Sequence, residues 1–432
     1  MTIMRAIQRQ FLTIQTVVLL TWCLAAGGAV QVTDVSMQPR WPWNGLVDIT
    51  YSLECDETDE AGNPAQMTVL LSGYDRVLDR RVAMTAVTGP GVDSPVSAGG
   101  PYTVTWYAAQ DEPEFHSSSF EITVTAAIKV IYPLYLVVDL SGGPDAANYP
   151  VRYSSTGPNL SNDTCRTTEL WLRRIPKGTF LMGSPAGGEL GWEFSETQHQ
   201  VTLTQDYYIG VFECTQRQYE LVMGTKPSYF NNADCYATRP VEKVSYNDLR
   251  GTSANAGAGW PASGHVVDAS SFFGELQAKT GMTFDLPTEV QWEYACRAGT
   301  TTALNSGKNL IATGECPNMA EVGRYGYNGG SGYSQSCTTA NGTAKVGSYL
   351  PNAWGLYDMH GNVWEWCLDW YGDYPTAAVS DPVGPSSGSY RVLRGGSWGD
   401  YGARFCRSAN RIGCYGPSHR SYYSGFRVSF CP

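Results

Sequence analysis

The twelve residues from Gly355 to Trp366, GLYDMHGNVWEW, constrain this chain more than any other stretch, because they crowd three aromatics, two carboxylates and two glycines together. Glycine lets backbone carbonyls turn toward a ligand, and a carboxylate a few residues away can join them. That is the donor set a hard cation such as Ca²⁺ asks of a short loop. The segment reads as a metal-stiffened turn, and a fold that displays one is expected to be irregular. The composition agrees, with 47 Gly, 27 Tyr and 13 Trp against only 16% charged residues, a balance that suits many loops better than many helices.

At 432 residues the chain favours two folding units. Arg5 and Arg9 precede an apolar stretch from Phe11 to Ala26, and small residues follow to Ala29. This is the layout of a secretory signal over residues 1–29, short for a spanning helix, which needs about 20 apolar residues. Cys23 raises lipid attachment, but the bulky Trp22 before it fits that poorly. An exported protein without a transmembrane span in its mature form is expected, at the cell surface, in a periplasm or secreted. Loss of the leader moves the formal net charge from −11 to −13, and no lysine-rich run occurs, which argues against a nucleic-acid partner. Of 12 cysteines, those outside the leader point to disulfides rather than metal ligation, since no Cys-x-x-Cys is present.

Residues 30–127 alternate apolar and polar, as in Val47–Leu53, Met67–Leu71, Tyr102–Trp106 and Phe120–Val124, with turn formers between them at Glu60–Pro64 and Thr88–Gly91. Short strands at this spacing predict an immunoglobulin- or fibronectin-like β-sandwich. Residues 128–164 read as a linker with strands: the apolar run Ile128–Leu140 is interrupted by Lys129, Pro133 and Asp139, and a Gly/Pro/Ser/Asn-rich stretch follows. A second domain is expected over residues 165–432, with Leu170–Ile175 as its first strand. Helices are predicted at Thr215–Val222, Ala269–Lys279 and Pro287–Arg297, the first and last capped by Thr215 and Thr288.

The second domain carries a series of motifs in order: IPKGTFLMG at 175–183, LPTEVQWEYA at 286–295, the 355–366 run, RGGSW at 394–398, RSANR at 407–411 and GFRV at 425–428. Together they resemble the formylglycine-generating (sulfatase-modifying factor) enzyme family over about residues 170–430. The resemblance implies an irregular α+β fold distantly like C-type lectins. It also implies oxidation of a sulfatase cysteine to formylglycine by oxygen, with copper held by two thiolates, a soft donor pair suited to Cu(I). For calcium it implies Asp358 through its side chain, Gly361 and Val363 through carbonyls, and Glu365 through its carboxylate.

The family's two thiol positions, counted from Ser397, fall here on Asp400 and Phe405, with Cys406 one residue beyond the second. A carboxylate is a hard ligand and does not replace a thiolate toward Cu(I). Copper is therefore not expected, and catalysis by the family's route is left with only Cys406, Asp400 and Ser397 as candidates. The family links the cysteine at the position of Cys296 to one at the position of Ser408. Cys406 lies two residues from it, and a Cys296–Cys406 disulfide is expected, with Cys316–Cys337 and Cys214–Cys367 as further pairings. His199, His265, His360 and His419 are scattered, and no hydrolase or nucleotide motif occurs.

Three functions follow. The first is a non-oxidising member that binds a peptide, protein or glycan in the former active-site cleft, lined by Trp364, Ser397, Trp398, Asp400 and Arg411. The second is a formylglycine-generating oxidoreductase, and the third is a structural cell-surface module.

Overall fold

The computed structural model describes residues 23–24, 29–40, 44–55, 65–112, 117, 119–128, 133–252, 266–329, 333, 336–337 and 341–432. Most of the expected leader, the turn at 60–64 and His265 lie outside the described residues. Contacts divide the chain into residues 1–132 and 133–432. Both units are mostly β, and among the described residues no helix is long and apolar enough to cross a membrane.

In the first unit a five-stranded sheet, centred on Leu46–Glu54 between Ala29–Pro39 and Gly99–Tyr107, shares a core with a three-stranded sheet in which Met67–Asp75 pairs with Phe120–Ile128. Alternation along Leu46–Glu54 buries Val47, Ile49, Tyr51 and Leu53 in turn, as a period-2 strand with one covered face requires. Trp106 stacks on Phe120 at 5.5 Å between ring centres. Its indole N–H reaches Asp111 at 2.8 Å, so the largest ring in this core leaves no polar atom unpaired.

The second unit is organised around two sheets. One runs Val151–Ser154, Tyr135–Asp139, Glu169–Ile175, Tyr207–Gly210, Ser429–Phe430 and Phe284–Asp285, antiparallel throughout. The stretch read as linker thus supplies two strands to this sheet, because Leu136, Val137 and Val138 are fully buried against it. The other sheet runs Arg411–Ile412, Arg391–Arg394, Trp364–Trp370 and Ser424–Gly425, so the motifs at 355–366, 394–398, 407–411 and 425–428 meet in one place.

Three helices bear on the site: Gln216–Met223, Phe272–Thr280 and Glu289–Arg297. Thr215 and Thr288 form capping boxes with Gln218 and Gln291, each satisfying two backbone donors that the helix itself leaves open. Short helices at Tyr246–Arg250 and Pro317–Val322 escape the sequence because they are too brief to show a period.

Candidate functional site

Every residue of the helix Glu289–Arg297 is buried, charged ones included, which requires partners for each charge. The motif arginines supply them. Glu293 receives the Arg297 guanidinium at 2.8 Å, the Gly183 amide at 2.8 Å, and Arg394. Glu289 is forked by Arg411 at 2.7 Å through both of its contacts, and takes the Tyr374 hydroxyl at 2.9 Å. Arg407 pairs with Glu196 at 2.8 and 2.6 Å and Arg427 with Glu365 at 2.6 Å twice. The arginines of RGGSW, RSANR and GFRV are thus internal ties between sheet, helix and loop.

Arg411 was expected in the ligand cleft, and the structure removes it. Its guanidinium is locked on Glu289, because a buried carboxylate there needs a bidentate cation. It borders a separate recess of about 50 Å³ with Met182, His199, Asp369 and Tyr374, room for one or two waters rather than a substrate. Burial pushes the Asp369 carboxyl there up to about 7, with Glu289 adding to the shift.

Trp364, Ser397, Trp398 and Asp400 come together, but of the four only Asp400 is partly exposed, and the other three are buried as Arg411 is. Two positive-φ glycines, Gly395 and Gly396, bend the chain into a turn. There Asp400 accepts the Ser397 amide at 2.7 Å and its hydroxyl at 2.8 Å. Burial raises the Asp400 carboxyl above its ordinary range, and the Ser397 bonds oppose that.

Cys406 lies beneath this turn. A Cβ added at Gly396 would stand 2.5 Å from the Cys406 sulfur, so the thiol fills the space glycine leaves. It is fully buried among Ala303, Met319, Val322 and Tyr325, and burial holds it well above the usual thiol range, with Asp400 adding to the shift. The expected Cys296–Cys406 bond is not formed: both thiols are free, since Cys406 is committed to the Gly396 side. Cys296 instead faces the hydroxyl of Ser408 at 3.6 Å. The further pairings also differ: Cys214, Cys316 and Cys367 are free, and Cys337 is bonded to Cys235. The Ser408→Cys variant is expected to close a bond to Cys296 and to add about 4–5 kcal/mol by the chain-entropy model. Non-reduced peptide mapping and the denaturation midpoint read this out, and two alkylatable thiols at these positions would count against it.

The glycine-rich turn encloses a second set of buried charges. Asp358 takes φ +56° and Asn362 φ +63°. Asp358 accepts the Gly347 amide at 2.6 Å through one oxygen, while the other is buried without a hydrogen-bond partner. Glu213, just after the strand Tyr207–Gly210, accepts the Asn362 side-chain amide at 2.6 Å and the Val363 backbone N–H at 3.1 Å. Glu365 also accepts the Trp292 indole at 2.8 Å. Burial pushes the Asp358 carboxyl up to about 6, and raises Glu213 well above its ordinary value with Asp358 and Glu365 adding to it. Among the described residues, no three His, Cys, Asp or Glu side chains form a ready-made metal cage, so a cation here would also draw on main-chain carbonyls.

The three described histidines have protein partners. His360 donates Nδ1–H to the Cys406 carbonyl at 2.6 Å and accepts the Asn305 amide at Nε2 at 3.0 Å. Both ring nitrogens are occupied, and burial lowers its pKa to about 4. His199 packs on Tyr374 and His419 stacks on Tyr415.

Beside the Ser397 turn lies an aromatic surface that motif reading missed. Trp398 is buried at its base, with Phe230, Tyr333, Tyr422 and Tyr423 at 5.0–6.2 Å between ring centres. Tyr229 packs on Tyr333 at 6.3 Å. The hydroxyl of Tyr333, which is 52% exposed, stands 3.3 and 3.2 Å from those of Tyr422 and Tyr423. Phe230 and Tyr333 meet Trp398 edge to face while Tyr422 and Tyr423 are tilted against it, and the surface offers ring edges and phenol hydroxyls that both donate and accept. The only signals in the sequence were the adjacent Tyr422 and Tyr423 and the high tyrosine content.

Residues 159–430 match the model of the sulfatase-modifying factor enzyme 1-like domain. The formylglycine-generating enzyme of Streptomyces coelicolor is 40% identical over 119 residues, 26% of this chain and 35% of that enzyme. The Mus musculus enzyme is 38% identical over 282 residues, 59% of this chain and 73% of that one. The chaperone protein LppX of Paenibacillus barcinonensis is 30% identical over 224 residues, 47% of this chain and 73% of that protein. The chain therefore spans only about a third of the Streptomyces enzyme's length. Among solved structures, Treponema denticola variable protein 1 is 28% identical, with a TM-score of 0.48, over 61% of this chain and 96% of that one.

Proposed function

This chain belongs to the sulfatase-modifying factor enzyme 1-like family through residues 159–430, and from that premise we propose that it is a non-oxidising member whose former catalytic face binds a ligand. The observation that carries the reading is the content of the two thiol positions. Asp400 is spent on Ser397, Phe405 has no metal-ligating atom, and the nearby Cys406 is a buried, protonated thiol under Gly396. These residues do not fit a two-thiolate copper centre, and no step is derived through one. The ligand is a peptide, protein or glycan, met by Tyr229, Tyr333 and the tyrosines packed over the buried Trp398. The likeness to a protein named a chaperone supports a binding role for such a domain. Offering the folded protein Cu(I), oxygen and a Cys-x-Pro-x-Arg peptide tests the reading, and the peptide is expected to return unmodified.

Calcium is part of the proposal. The residues at the turn fit it: Asp358 has a buried oxygen without a partner, beside Glu213 and Glu365 with the guanidinium of Arg427 as counter-charge. Asp358 and Glu365 would hold the ion with the carbonyls of Gly361 and Val363, and the ion would stiffen the turn under Trp364. Calcium at about a hundred times its dissociation constant is expected to stabilise the protein by about 2.7 kcal/mol over chelator. Asp358→Asn is expected to remove most of that increment. Equal melting in calcium and in chelator would end the calcium reading.

The proposal extends to the rest of the chain: export, a C-type-lectin-like architecture for the second unit, and an immunoglobulin- or fibronectin-like sandwich for the first, acting as a spacer or adhesive module. A purely structural role would be favoured if the intact chain bound no ligand class at the tyrosine face.

A further inference from the structure

We propose that the former catalytic face takes an acidic peptide segment, one Asp or Glu beside large apolar side chains, read by Arg404 and the loop 190–194. The inference rests on the binding role proposed above and names its ligand class. Arg404 stands one residue before Phe405, the position of the family's second thiol. Of the four arginines between 394 and 411, the other three are turned inward onto buried glutamates. Arg404 alone is exposed. No carboxylate lies within ion-pair distance of it among the described residues, and its guanidinium sits over the Phe405 ring at 4.6 Å.

The surroundings of Arg404 are apolar and uncovered. A Cβ added at Gly191 would stand 2.4 Å from the Arg404 Cβ, so this loop runs directly against it. Leu190 is 48% and Phe194 88% exposed, and Trp192 meets Phe194 edge to face at 4.9 Å. Arg407 ties the loop from within through Glu189, the Gly191 carbonyl and Glu196, so the rings are displayed in place rather than ordered on binding. At the other end of the segment 399–404 the Tyr423 ring closes on Gly399, which joins this patch to the tyrosine surface. Tyr401, within that segment, is 66% exposed. Arginine and aromatic side chains dominate the energetics of protein recognition, and a bare guanidinium among apolar groups is complementary to a carboxylate with apolar neighbours. A neutral glycan leaves the guanidinium unpaired, and an acidic one has little apolar surface to cover Leu190 and Phe194. The chain is acidic overall, so the attraction is local and depends on Arg404 itself.

The test pans a phage-displayed library of random linear peptides on the intact chain and measures the selected peptide by calorimetry. Sequences with Asp or Glu next to aromatic or long aliphatic residues are expected. Arg404→Gln, which removes the charge from an exposed side chain, is expected to weaken the selected peptide by about tenfold or more, and Phe194→Ala is expected to weaken it as well. Panning again on Arg404→Glu should replace acidic sequences by basic ones, a change of selectivity that loss of fold does not produce. Selected peptides without an acidic residue, or an affinity that either Arg404→Gln or Phe194→Ala leaves unchanged, would overturn the inference. Retention of polygalacturonate in place of any peptide would overturn it too, while leaving the binding role standing. If neither the library nor the polysaccharide binds, the binding role fails first and the inference falls with it.

Discussion

Replacing Arg394 by alanine is expected to destabilise the second unit by about 3–5 kcal/mol, because it leaves buried carboxylates without one of their cations. Arg394 is fully buried and joins four groups: Glu289 at 3.3 Å, Glu293, and the carbonyls of Ser408 at 2.7 Å and Ala409 at 3.1 Å. Glu293 would retain Arg297, and Glu289 would retain Arg411, so the helix would not lose every tie. A second substitution is the sharper check. Adding Glu293→Gln to Arg394→Ala should cost further stability rather than restore it, since it leaves the buried Arg297 without its carboxylate. Urea unfolding of the full chain reads the midpoints. A loss under about 1 kcal/mol would place these ions among the solvent-screened pairs, against their burial.

Removing the Cys235–Cys337 bond is the second large effect. It spans 102 residues, and a loop of about that length is worth about 4.7 kcal/mol in the chain-entropy model. Cys337→Ser should lower the unfolding midpoint to that of reduced wild type and abolish the response to reductant. A wild type insensitive to reductant would count against the bond. A functional consequence follows from position. Tyr333 lies four residues before Cys337 in the sequence, and the bond ties its segment to the chain near Tyr229, on which Tyr333 packs. Cys337→Ser is thus expected to weaken ligand binding at the tyrosine face as well as stability.

The strands and capped helices were legible because period-2 burial and Thr–x–x–Gln caps are local signals. The turn at 355–366 was legible for the same reason: its glycines and carboxylates are adjacent in sequence. Disulfide connectivity was not, since spacing alone does not determine which cysteines pair, and Cys316 proved to be a buried thiol while Cys337 found Cys235. Arg411 was misplaced because a motif arginine looks the same whether it faces a ligand or a buried Glu289. Glu213 and the tyrosines were missed for one reason: Glu213, Tyr229, Tyr333 and Tyr422 are dispersed over the chain and meet only when the sheets form. The Ser397–Asp400 contact lay between, visible as a three-residue spacing but interpretable only once Cys406 was seen turned toward Gly396.

Binding without oxidation at the face around Ser397 is tested by mass spectrometry of a Cys-x-Pro-x-Arg peptide after incubation with the folded protein, Cu(I) and oxygen. The peptide is expected to keep its mass and an intact thiol. Conversion of its cysteine to formylglycine, abolished by Cys406→Ser, would contradict that expectation and make the chain an oxidoreductase whose copper site uses the thiol now buried beneath Gly396.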